Sequence, residues 1–87
     1  MQAEVHTVQE LGALLRDRRR RTGMTQQVLA ETSGVSRRWV SGVETGRNAS
    51  VDFYSVLKVL ETLDLVLSVV DDPDADFISV FDVEGDE

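Results

Sequence analysis

The chain has 87 residues, no cysteine and one histidine, so one small domain is expected, and disulfides, cysteine nucleophiles and thiolate metal sites are excluded. Its net charge of −7 is segregated: all nine basic residues lie between Arg16 and Lys58, and residues 71–87 hold eight acids and no base. Residues 11–47 hold eight bases against three acids (Asp17, Glu31, Glu44), a net of +5, and because salt screens charge over about 8 Å a basic body with an acidic tail does not exclude a nucleic-acid partner.

Residues 1–6 read as an N-terminal arm. Met1-Gln2-Ala3-Glu4 has no basic patch leading into an apolar run, so no signal peptide is expected. No apolar stretch reaches the ~20 residues of a membrane span. A cytoplasmic protein without membrane association is the expectation.

A first helix is expected from 8 to about 22. Thr7 and Glu10 have capping-box spacing, Val8, Leu11 and Leu15 share one helical face, and Gly23 is a C-terminal stop. Thr25 is an N-cap for a second helix to about 33, whose buried side would be Val28, Leu29 and Ala30. Gly34 permits a sharp turn. Ser36 then caps a third helix to about 45, with Val40 and Val43 inward. A fourth helix is expected over roughly 52–64, where Phe53, Val56, Leu57, Leu60 and Leu63 fall at helical spacing, its leucines being core and dimer-contact candidates.

Residues 65–70, Leu-Val-Leu-Ser-Val-Val, are rich in β-branched residues and read as a strand. Residues 77–81 are a second possible strand within the acidic tail, 71–87. One strand after four helices leaves unpaired edges. A twofold partner could supply the same strand antiparallel, with Leu65, Val66, Leu67, Val69 and Val70 as dimerisation residues. A hairpin with 77–81 is a compatible solution, and a simple cap on the fourth helix is the alternative. The fold class is mainly α: four to five helices with a C-terminal β-strand pairing in a dimer, residues 7–64 forming the body.

The second and third helices, joined by a short turn at Gly34, match the helix-turn-helix pattern, in which the second helix enters the major groove. With Val40 and Val43 inward, Arg37, Arg38, Ser41 and Thr45 face outward. Arginine suits the O6 and N7 acceptors of guanine. Trp39 either contacts DNA or packs against the motif's edge. The arginines from Arg16 to Arg21 span more than a full turn, so only one or two of them can meet phosphate. His6 reads as incidental.

The pattern Leu11-Gly12, Leu15-Arg16, Arg19, Gly23-Met24-Thr25-Gln26, Leu29-Ala30, Gly34-Val35-Ser36-Arg37, Val40-Ser41, Val43-Glu44 and Gly46 resembles the XRE family, the helix-turn-helix of lambdoid phage repressors, over residues 11–65. The run from Gly34 to Ser41, and the passage from Val56 through Leu63-Asp64-Leu65, are most similar to HipB-like antitoxins. The resemblance implies a lambda-repressor-like bundle whose strand pairs across a dimer. It implies that Gln26 meets the DNA backbone, that Ser36, Arg37 and Arg38 face bases or phosphates, that Ser41 makes a further contact, and that Arg47 meets phosphate. It also implies an internal salt bridge between Arg19 and Glu44. Gly42 departs from the pattern, since related repressors often carry a longer reading side chain there.

The leading function is therefore a sequence-specific repressor binding an inverted repeat of double-stranded DNA as a homodimer, and the antitoxin of a HipA-like kinase toxin. A stand-alone repressor is the alternative. The tail is either a solubilising end or a toxin-docking segment, given Phe77, Ile78, Val80 and Phe81. An interaction module that had lost DNA binding is disfavoured by Arg37, Arg38 and Arg47. No cofactor, metal or catalytic residue is expected, for the sequence has no phosphate-binding glycine loop and no metal-ligand spacing.

Overall fold

The computed structural model describes residues 2–74. They contain four helices, α1 (Val8–Arg21), α2 (Gln26–Ser33), α3 (Arg37–Glu44) and α4 (Phe53–Thr62). Each begins at a side-chain cap. The hydroxyls of Thr7, Thr25 and Ser36 accept from the backbone N–H of Glu10, Val28 and Trp39, and the Asp52 carboxylate accepts from that of Ser55. These bonds satisfy donors that a helix start otherwise leaves open. The expected capping box is displaced by one residue, because the Glu10 carboxylate accepts from the His6 N–H at 2.6 Å rather than from that of Thr7.

Two glycines decide the packing. Gly34 closes α2 at φ +78°, in the left-handed region, with its N–H on the Ala30 carbonyl at 2.9 Å, and so turns the chain sharply into α3. Gly12 lets α1 lie directly on α3: a Cβ at this position would stand 1.9 Å from the Val43 carbonyl oxygen. α4 ends differently, with Asp64 at φ +59° and the Leu65 N–H on the Leu60 carbonyl at 2.8 Å. Asp64 is thus the turn residue after α4 rather than its last residue.

The core comprises Leu15 from α1, Leu29 and Ala30 from α2, Val40 and Val43 from α3, and Val56, Val59, Leu60 and Leu63 from α4 and its end. α3 packs on α1 and α2, and α4 packs on α2. Val28, expected on the buried side of α2, is 44% exposed, and on α4 Phe53 and the core or dimer-contact candidate Leu57 are 60% and 41% exposed. Helices of eight and ten residues can turn only a narrow stripe inward, and Leu29 and Ala30, and Val56 and Leu60, already fill it.

After α4, Leu65 packs on the core, while Val66, Val69 and Val70 are exposed. Phe53, Leu57, Leu60, Leu65 and Leu67 line an open, mainly apolar groove. Residues 65–70 make no strand ladder among the described residues; a ladder exists only with a paired neighbour. The second expected strand, 77–81, lies outside the described residues. None of the four helices is long and apolar enough to cross a membrane.

A buried ion pair joins α1 to α3. Arg19 Nε donates to Glu44 Oε2 at 2.7 Å and Arg19 Nη2 to Glu44 Oε1 at 2.9 Å, the two-pronged geometry that suits guanidinium and carboxylate. Both residues are buried. The third arm, Arg19 Nη1, donates to the Met24 carbonyl at 2.8 Å. Hydrogen bonding to Glu44 raises the Arg19 pKa above the ordinary arginine value, against the opposing effect of burial, so the guanidinium stays charged.

Leu29→Ala should cost about 2–5 kcal/mol, the range for emptying a filled core site, read from the urea midpoint; a loss under about 1 kcal/mol would show that the core collapses around the site. Glu44→Ala should cost about 3 kcal/mol or more, since it strands the Arg19 charge. Arg19→Met with Glu44→Leu should recover most of that loss, and a double variant as unstable as Glu44→Ala would show that packing rather than the stranded charge sets the cost.

Candidate nucleic-acid interface

α3 is amphipathic over eight residues. Val40, Val43 and Glu44 are buried, whereas Arg37, Arg38 and Thr45 are exposed and Ser41 is half-buried. The outward face expected from the sequence therefore exists. Its hydroxyl and guanidinium groups are joined from the following loop: Arg47 Nη2 donates to Ser41 Oγ at 3.2 Å, and the Arg47 N–H donates to the Gly42 carbonyl at 3.1 Å. Arg37, Arg38, Ser41 and Arg47 are thus carried on α3 and the turn behind it.

The starts of α2 and α3 approach one another. Arg19, Thr25, Gln26, Gln27 and Arg37 line an open groove between them. Two helix N-termini with a guanidinium nearby make an electropositive concavity suited to phosphate.

The other sequence-predicted residues have internal partners. Gln26 Nε2 donates to Glu44 Oε1 at 3.0 Å, so the carboxamide joins the Arg19–Glu44 pair and is held at the rim of the groove. Ser36 Oγ accepts from the Trp39 N–H at 2.9 Å, so its oxygen caps α3. Trp39 is half-buried against the core, and its Nε1 donates to Asp52 Oδ1 at 3.1 Å. Of its two readings, the packing one has observed contacts: it ties α3 to the cap of α4. Asp52 is exposed, and its hydrogen bonds from Ser55, with that from Trp39, hold its carboxyl below the usual carboxylate range.

The arginine run divides in the same way. Arg18 Nε donates to the Leu63 carbonyl at 3.0 Å, closing the end of α4, and Arg19 is in the buried pair. Arg21 pairs with Asp17 at 2.9 Å on the surface, where such pairs contribute little. Arg16 and Arg20 are exposed, without an ion pair among the described residues. His6 sits by Glu4 at 3.4 Å on the exposed arm, consistent with an incidental role.

Position 42 differs from what the sequence suggests. Gly42 is buried, and a Cβ there would come within 2.8 Å of Asn48 Nδ2. Asn48 was not marked as a site residue by the sequence. The signal was Gly42 itself, since a glycine inside a helix costs about 1 kcal/mol against alanine, but nothing local says which residue packs on it.

The family model for the helix-turn-helix domain matches residues 10–71. No curated protein matches the chain. Among solved structures, HipB in its complex with the O4 20-mer has a TM-score of 0.72 at 21% identity, over 80% of this chain and 97% of that one. A HipA–HipB–O2–O3 complex gives 0.71 at 21% identity over the same 80% and 97%. SinR, the master regulator for biofilm formation, in complex with DNA gives 0.62 at 25% identity, over 64% of this chain and 89% of that one. These likenesses show a shared fold. With the family match over most of its length, the chain belongs to the helix-turn-helix domain family, of the XRE type.

Proposed function

We propose that this chain is a sequence-specific DNA-binding repressor that acts as a homodimer on an inverted repeat, and that it is the antitoxin of a HipA–HipB-like pair. The observation that carries the DNA reading is the exposed array of Arg37, Arg38 and Arg47 on and behind a helix whose opposite face is core. Arg37 and Arg38 stand at the start of α3, the end of a recognition helix that reaches base edges. Arg47, in the loop, serves phosphate. Repression follows from occupying the site that polymerase needs.

The dimer reading is supported by the apolar groove beside α4 and by the exposed valines of 65–70. A second copy pairing along 65–70 covers both and satisfies the open backbone groups. Half-sites then lie about one DNA turn apart or a multiple of it. The antitoxin reading is supported by the likeness to HipB, which occurs in a complex with HipA. The likeness to SinR, in complex with DNA, favours the second reading, a stand-alone repressor. Co-expression of the tagged chain with the neighbouring reading frame separates them: a stoichiometric kinase-like partner supports the antitoxin, and its absence alongside tight, salt-sensitive binding to upstream DNA supports the stand-alone repressor.

Arg37→Ala and Arg38→Ala should each cost about 1–3 kcal/mol on the operator and much less on random DNA, measured by fluorescence anisotropy; equal losses on both would restrict them to phosphate contact. Arg47→Ala should weaken binding to every sequence and flatten the salt slope by about one. Removal of 65–87 should convert a sedimenting dimer to monomer, and an unchanged profile would defeat the strand-pairing reading.

A further inference from the structure

We propose that Asn48, in the loop behind α3, is a base-reading side chain that occupies the outward position Gly42 leaves empty; the proposal rests on the DNA-binding reading above. Successive helix residues turn by about 100°. Measured from Arg37, the buried residues Val43, Val40 and Glu44 fall near ~240°, ~300° and ~340°. The opposite direction lies between Arg38 at about 100° and Gly42 at about 140°. Position 42 therefore belongs to the outward half of the helix, yet Gly42 is buried.

Asn48 covers it. A Cβ on Gly42 would stand 2.8 Å from Asn48 Nδ2, 3.0 Å from Oδ1 and 3.1 Å from Cγ. The whole carboxamide thus occupies the place where a side chain of residue 42 would begin, next to Arg38 around the helix. The loop is fixed beside it by the Arg47 N–H on the Gly42 carbonyl and the Arg47 guanidinium on Ser41 Oγ. Among the described residues the Asn48 carboxamide has no hydrogen-bond partner, and it is only half-buried, so its acceptor and its two donors remain available.

A carboxamide matches the N6 donor and N7 acceptor of adenine in the major groove, as a guanidinium matches guanine. The arrangement points to an adenine contacted by Asn48 in each half-site, beside the base read by Arg38. The reading group is carried by the loop and braced on the helix, rather than projected from it.

The test begins by selecting the preferred site of the intact protein from randomised DNA. Affinities of the intact protein and Asn48→Ala are then measured on that site, on its single-base variants and on random DNA, with a thermal melt to confirm folding. Asn48→Ala is expected to bind the selected site roughly ten-fold more weakly, to keep its affinity for random DNA, and to lose discrimination at one A·T pair per half-site. Gly42→Ala, which must displace the carboxamide, is expected to alter preference at that same pair and to keep the preference set by Arg38. Equal weakening of Asn48→Ala on selected and random DNA would assign it to phosphate and overturn the proposal, as would an unchanged adenine preference. An intact protein that prefers no sequence would overturn the repressor reading itself, an outcome distinct from a selective protein indifferent to residue 48.

Discussion

The arrangement of the three N-terminal helices depends on one buried polar cluster. Arg19 from α1 spends its guanidinium on both Glu44 oxygens and the Met24 carbonyl, and Gln26 at the start of α2 adds a third donor to the same carboxylate. Apolar contact between Leu15, Leu29, Val40 and Val43 supplies much of the driving force, but it is non-directional. The ion pair is directional. It sets the C-terminal end of α3 against α1 and brings the N-terminus of α2 to the same point. Burying two charges is favourable only when their hydrogen bonds are satisfied, and no buried side-chain nitrogen or oxygen among the described residues lacks a partner.

That cluster divides the arginines into two kinds. Arg18 and Arg19 act inward, one closing the end of α4 and the other holding α3. Arg37, Arg38 and Arg47 are exposed on α3 and the loop behind it, on the side away from the core. The remaining brace comes from Trp39, whose indole N–H reaches the Asp52 cap of α4, so α3 is held near both ends of its length. Under the proposed function, a face supported this way needs little reordering on binding, which lowers the entropic cost of association.

The apolar groove beside α4 has the opposite character. Phe53, Leu57 and Leu67 are exposed there, continuous with Val66, Val69 and Val70. The apolar spacing beyond residue 52 therefore has two parts, a buried one in Val56, Val59, Leu60 and Leu63 and an exposed one in these side chains. Periodicity reports that a face is apolar; it does not report whether that face is closed by the same chain.

Much of the fold was legible in the sequence because its determinants are local. Thr7, Thr25 and Ser36 act within three residues of themselves, Gly34 needs only its own φ, and the helix limits follow from these signals. The Arg19–Glu44 pair came from family resemblance. What only the tertiary structure decided involves residues far apart in the chain or across a turn. Arg18 finds a carbonyl 45 residues away, Gln26 shares a carboxylate 18 residues away, and Val28 and Leu57 lose the competition for a narrow interior. Asn48 lies over Gly42 because the backbone reverses at Gly46. Side-chain chemistry announces what a residue can do; which partner it does it with depends on where packing brings the backbone, and no local pattern contains that distance.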